Sequence, residues 1–291
     1  MSETKFIDVN GVRTRYIEAG SGEPLVLHHG AEFPRAATNA EVWSRNIEGL
    51  AKSFRVLAVD KLGHGYTDNP KSDADFSFEA VVQHGYDFMQ ALSLGPAHLV
   101  GHSRGGYLVT RLALEHPEAV RTLTIVDSNS IAPGYPANGS FYVDLDQRNP
   151  HPPGSREYLW YYVEAHTFST HHMETDPEWI DNMLEILDQP KVKELQRRFQ
   201  AIGETYRASI ERSKAETIGW LEEKRLTTPT LIVWGFNDPS APLELGYGLY
   251  NLIAPQVPRS ELHVFNEAGH HTFREHPEDF NRVITTFIQG T

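Results

Sequence analysis

Cysteine is absent from all 291 residues. That excludes disulfides and thiolate chemistry and leaves the redox compartment open. No run of about 18 apolar residues occurs, the length a membrane-crossing helix needs. Met1 to Phe6 is polar and lacks the apolar core of a signal peptide, so the expected compartment is the cytoplasm. Positive charge is scarce: 26 Lys and Arg stand against 39 Asp and Glu, a formal net charge of −13. A broad negative field argues against a nucleic-acid partner, because phosphate binding needs clustered Lys and Arg. The acidic residues are spread without a long block, which serves solubility. Internal repeats and low-complexity tracts are also missing.

What is there suits a globular protein, with 40% hydrophobic and 22% charged residues. The length fits one large α/β domain or a core with an insertion. Short apolar runs alternate with helical spacing. Val12 to Glu18 alternates polar and apolar, as an edge hairpin strand does. Leu25–His28, Val56–Asp60, Ala97–Val100 and Leu123–Asp127 read as buried strands, and Thr230–Trp234 and Leu262–Phe265 resume the series. Phe78–Leu92, Gly105–His116 and His276–Ile288 read as helices, the first two closed by Gly95-Pro96 and Pro117. Continuous apolar strands separated by helices predict a mostly parallel sheet covered on both faces. Ser130 to Gly154 is rich in Pro, Gly and Asn, and Ser155 to about Trp220 reads as helices without a buried strand. The expected organisation is an α/β core from residues 1–130 and 221–291, with a helical cap from 131–220 inserted over the carboxyl edge of the sheet, where open α/β sheets bind ligands.

The strongest chemical signal is Gly101-His102-Ser103-Arg104-Gly105-Gly106, a G-x-S-x-G pattern between a predicted strand and a predicted helix. A nucleophile on such a sharp turn needs small residues two positions away on either side. The following helix aims its first N–H groups at developing negative charge. A serine hydroxyl also needs a base. Asp238 follows the strand at Thr230–Trp234 and His270 follows the strand at Leu262–Phe265, so both fall on the sheet edge that carries Ser103. His270 is the expected general base, then acid, with neighbouring His271 the alternative; Asp238 orients the imidazole. The expected oxyanion donors are the backbone N–H groups of Arg104 and Ala31, the latter after His29-Gly30.

These segments, with Asp60-Lys61-Leu62-Gly63-His64-Gly65, resemble the α/β-hydrolase family along nearly the whole chain. Leu262–Phe265, Glu275–Asn281 and Arg198–Ile202 most resemble the meta-cleavage product hydrolases, which cut a carbon–carbon bond in 2-hydroxy-6-oxohexa-2,4-dienoates from aromatic ring fission. The resemblance implies a small-molecule substrate, no cofactor, a homo-oligomer, and products that are a 2-hydroxypenta-2,4-dienoate and a carboxylic acid. By position it assigns substrate binding to Arg198 in the cap, to His271 and to Asn39. The chain departs from that pattern at His102 and Arg104 beside the serine, at Ala31–Arg35 in place of a glycine-rich run, and at His271 in place of tryptophan. A carboxylesterase or lactonase on the same triad is the alternative activity, and a non-catalytic receptor on the same fold is the second. No metal site is expected, because neighbouring His pairs on a strand point to opposite faces and no H-E-x-x-H motif occurs.

Overall fold

The computed structural model describes residues 2–135 and 141–290. One eight-stranded sheet runs in the order β1 (Glu3–Val9), β2 (Val12–Ala19), β4 (Arg55–Val59), β3 (Pro24–His28), β5 (Ala97–His102), β6 (Val120–Val126), β7 (Thr230–Gly235), β8 (Ser260–Phe265). β1 and β2 pair antiparallel, as do β2 and β4; the remaining pairings are parallel. β2 is therefore not the edge: Glu3–Val9 covers it, joined through Asn10 and Gly11, whose φ angles are 51° and 78°. That pair of left-handed residues makes a hairpin turn matched to strand twist.

Side-chain alternation along the parallel strands explains why both faces are apolar. Val26, Leu57, Leu99, Ile125 and Ile232 face one side and pack with α2 (Phe78–Ala91), α3 (Arg104–Glu115) and α9 (Leu243–Ile253). Leu25, Leu27, Val56, Ala58, Val100, Leu231 and Val233 face the other, against α1 (Ser44–Leu50) and α11 (Pro277–Gln289). Each fully buried Val, Leu or Ile contributes about 1.5–3 kcal/mol relative to exposure, so a one-residue slip of a central strand is opposed from both sides.

Between β6 and β7 the described residues form helices and no strand: α4 (Phe141–Arg148), α5 (Arg156–Glu164), α6 (His171–Glu174), α7 (Glu178–Leu187) and α8 (Pro190–Glu222). α4 lies in the segment that its Pro, Gly and Asn content marks as loop, and α8 continues two residues past Trp220. Residues 136–140 of the expected cap lie outside the described residues. The short α10 (Thr272–Glu275) completes the chain order between β8 and α11. Among the described residues no helix is long and apolar enough to cross a membrane.

Candidate active site

β5 runs directly into α3, and Ser103 stands at the junction with φ 51° and ψ −120°. A non-glycine residue there costs on the order of 1–3 kcal/mol and persists only where its surroundings dictate it. They do. Ser103 N–H donates to the Val126 carbonyl at 2.8 Å, and the Ser103 carbonyl accepts from Gly106 N–H at 2.9 Å and from the Ser128 hydroxyl at 2.6 Å. The flanking glycines have steric causes: a Cβ on Gly101 would lie 2.1 Å from the Gly105 carbonyl oxygen, and one on Gly105 would lie 2.5 Å from that of His28. The turn is buried except at Ser103, which stays partly exposed.

Asp238, on the loop after β7, is buried and saturated with donors. Oδ1 accepts from Ser240 N–H at 2.8 Å, the Ser240 hydroxyl at 2.7 Å and Ala241 N–H at 3.0 Å, while Oδ2 meets His270 Nδ1 at 2.6 Å. With Nδ1 committed to the carboxylate, Nε2 of His270 faces away from it; the Tyr142 hydroxyl lies 3.4 Å from Nε2. The His270 backbone is held twice. Its N–H donates to the His166 carbonyl at 2.7 Å, and its carbonyl accepts from His102 Nε2 at 2.7 Å. His102 is the residue before Ser103, and its ring centroid lies 4.6 Å from that of His270, so the two loops meet through adjacent side chains.

The expected oxyanion loop lies against the same turn. A Cβ on Gly30 would be 3.1 Å from Ser103 Cβ. His29 Nδ1 bonds the Gly30 carbonyl at 2.8 Å, and its Nε2 accepts Lys61 N–H at 3.1 Å, which fixes the tautomer with the proton on Nδ1. A peptide's C=O and N–H point oppositely, so holding the Gly30 carbonyl also fixes the direction of Ala31 N–H. Ala31 itself has φ 60°, and Lys61 Nζ donates to its carbonyl at 2.7 Å.

Two of the residues expected to contact substrate are engaged elsewhere. Arg198 turns away to Asp73, with Nη2 2.6 Å and Nε 2.9 Å from Oδ1, and its guanidinium covers the Phe76 ring. Spacing along a helix could not reveal a partner 125 residues earlier. Asn39 is fully buried and caps a short helical turn: Oδ1 accepts Glu41 N–H at 2.9 Å, and Nδ2 donates to the Ala37 carbonyl and to Asn182. His271 is brought close, its ring centroid 5.3 Å from that of His102 and 5.1 Å from that of His166. Burial first, then neighbouring imidazoles, holds His271, His102 and His166 well below the usual histidine range.

Residues without a sequence signal complete the surroundings. His166 and Tyr142 come from the helical segment and reach His270 from above. Glu275 accepts from Gly269 N–H at 2.8 Å with one oxygen and from Phe168 and Ser169 N–H at 2.9 Å with the other. Asp127, at the end of β6, is fully buried and accepts Gly235 N–H at 2.7 Å; burial and the charge of Asp238 push its carboxyl well above the usual range. Among the described residues, no group of three or more His, Asp or Glu could hold a metal ion. Of the paired histidines, His28 packs toward Gly85 of α2, whereas His29 turns to Gly30 and Lys61.

The family described as alpha/beta hydrolase fold matches residues 23–277. A 2-hydroxy-6-oxo-6-(2'-aminophenyl)hexa-2,4-dienoic acid hydrolase of Metapseudomonas resinovorans is 28% identical over 98% of this chain and 90% of its own length. A 2-hydroxymuconate semialdehyde hydrolase of a Pseudomonas species is 29% identical over 96% of this chain and 91% of its own length. The crystal structure of a meta-cleavage product hydrolase from Pseudomonas fluorescens superposes with a TM-score of 0.76, at 27% identity over 98% of this chain and 97% of that one.

Proposed function

The chain belongs to the α/β hydrolase fold family, and we propose that it is a serine hydrolase that cleaves the C5–C6 bond of 2-hydroxy-6-oxohexa-2,4-dienoates. The observation that carries the reading is the 2.6 Å contact between His270 Nδ1 and Asp238 on loops that close around the strained Ser103 turn. The likeness to hydrolases of this substrate class, near full length in both directions, supports it.

In this reading the dienol first becomes its keto tautomer. Ser103, or a water activated at the same place, adds to the C6 ketone while His270 Nε2 takes the proton. The oxyanion forms against the N–H groups of Ala31 and Arg104, the first aimed by His29 and the second at the start of α3. The C5–C6 bond breaks, its electrons delocalise into the dienoate, and His270 returns the proton to C5. On the serine path a water then hydrolyses the acyl-enzyme, whereas on the water path the acid forms directly; either way one water is consumed and two acids leave. Asp238 stabilises the imidazolium throughout.

An ester or lactone passes through the same tetrahedral oxyanion. The test is a direct comparison of a yellow ring-fission dienol and a short-chain aryl ester. Rapid bleaching with weak ester turnover is expected. Strong ester turnover with the dienol untouched overturns the carbon–carbon reading.

A further inference from the structure

The two expected oxyanion donors sit on segments that depart from the resembled family pattern, and the departing side chains meet. Ala31 and Glu32 stand in place of a glycine-rich run, and Arg104 follows Ser103. Ala31 has φ 60°, a left-handed conformation that crowding at the β-carbon disfavours for any L residue other than glycine. Such a residue keeps its conformation only where the peptide planes on both sides of it are held.

One residue secures both planes. The plane before Ala31 contains its N–H and the Gly30 carbonyl, which His29 Nδ1 bonds at 2.8 Å. His29 is in turn set by Lys61, whose backbone N–H donates to Nε2 at 3.1 Å. The plane after Ala31 contains its carbonyl, which accepts from Lys61 Nζ at 2.7 Å. Lys61 is buried, so bulk water does not compete for that bond. It therefore grips the loop through its main chain on one side of Ala31 and through its side chain on the other.

The second donor is tied to the first by charge. Glu32, the residue after Ala31, pairs with Arg104, Oε2 to Nη2 at 2.6 Å, and the two side chains are only 21% and 11% exposed. Screening is weak at such a position, so the pair is stronger than one on the open surface. Packing sets the opposite limit. A Cβ on Gly30 would be 3.0 Å from His102 Nδ1, and one on Gly105 would be 2.6 Å from the His29 carbonyl oxygen. Contact keeps the two segments from closing further, and the ion pair keeps them from parting.

We propose that Lys61 and Glu32 are positioning residues for the oxyanion site. Lys61 sets the direction of Ala31 N–H, and Glu32, through Arg104, sets how far that donor lies from Arg104 N–H. The inference rests on the serine-hydrolase reading of Ser103, Asp238 and His270, and on no particular scissile bond. In this role neither side chain contacts the substrate. Both act on donors whose worth appears when negative charge develops on the substrate oxygen.

The test separates the chemical step from binding. A fluorophosphonate is attacked by Ser103 at phosphorus: a P–O bond forms, fluoride leaves, His270 takes the proton, and negative charge builds on the phosphoryl oxygen. Losing an oxyanion donor outright costs about 10²–10³ in rate, so misdirecting one should cost on the order of tenfold to hundredfold. Lys61→Met and Glu32→Gln are each expected to slow labelling of Ser103 by that factor, followed by mass spectrometry on the full chain. With whichever of the ring-fission dienol and the aryl ester the parent turns over, kcat should fall similarly while KM stays within about twofold. Glu32→Gln preserves side-chain volume and carries the test if Lys61→Met does not fold. Labelling at the parental rate in either folded variant, or a KM rise with kcat unchanged, overturns the proposal and leaves the hydrolase reading standing. A parent whose Ser103 is not labelled overturns the hydrolase reading, and this inference with it.

Discussion

His102 Nε2 donates to the main-chain carbonyl of His270 at 2.7 Å, so the side chain just before the candidate nucleophile fixes the backbone of the candidate base. His102 is buried against Gly30 as well, and thus joins the oxyanion loop, the Ser103 turn and the His270 loop. Removing it strands a buried carbonyl, at a cost of about 1–3 kcal/mol. His102→Ala is expected to lower the unfolding free energy by that amount and to reduce kcat more than it raises KM. Urea titration alongside steady-state kinetics checks both; unchanged kcat at reduced stability would assign His102 to packing alone.

Asp238→Asn replaces the acceptor at 2.6 Å with a group that no longer stabilises the imidazolium. The expected loss in kcat is roughly four orders of magnitude, with the fold retained. Ser103→Ala should reduce activity at least as far, and the double variant little further, because the residues act as a unit. Additive losses would contradict a shared step.

Gly101→Ala brings a Cβ to 2.1 Å from a main-chain oxygen that cannot move without shifting α3. More than about 2 kcal/mol of destabilisation is expected, in the range of severe backbone and overpacking lesions. Gly95→Ala, with open space around its Cβ, is the control and should fall within about 0.5 kcal/mol of the parent.

Arg198→Ala tests whether the arginine bound to Asp73 also serves the substrate. Its ion pair with Asp73 is partly exposed, so stability should change by about 1 kcal/mol at most. KM for the dienol should stay within about twofold of the parent. A large KM increase in Arg198→Ala would instead assign Arg198 to substrate binding.

Acid should unfold this protein early. Burial is the main cause that pushes His28 and His172 down to about 3 and His84 to about 4, and that holds His29, His64, His102, His166 and His271 well below 6.5. In the unfolded chain these imidazoles charge near 6.5. The folded state then binds fewer protons, so stability present above about pH 6.5 is lost as pH falls toward the folded values, by up to about 1.4 kcal/mol per pH unit for each histidine. Asp60, Asp127 and Glu275 are raised by burial and act in the opposite sense. Eight groups outweigh three. Urea midpoints should drop steeply from pH 6.5 to 5; a flat profile would show that the imidazoles charge without unfolding.

The parallel strands and the Ser103 turn were legible because their signals are local: apolar runs of strand length, and glycines that a sharp turn demands. Asp238 and His270 were legible because each follows such a run. β1 was not read, although Asn10-Gly11 before Val12 carries a hairpin signal; mostly exposed Glu3–Val9 offers no buried face to mark it. His166 and Tyr142 could not be found, since one lies in the turn after α5 and the other in α4, neither carries a chemical pattern, and both reach His270 only through the fold. His102 occupies a variable position of the motif, and its partner is a backbone atom 168 residues later. Arg198 shows the converse failure: a helix position alone does not say which way an arginine will reach.

Glu275 ties the turn at Phe168–Ser169 and the loop at Gly269 to one carboxylate, while His166 takes the amide of His270. Along that seam the roof and the general base are a single mechanical piece. Any swing that opened the roof there would drag the imidazole off its aspartate.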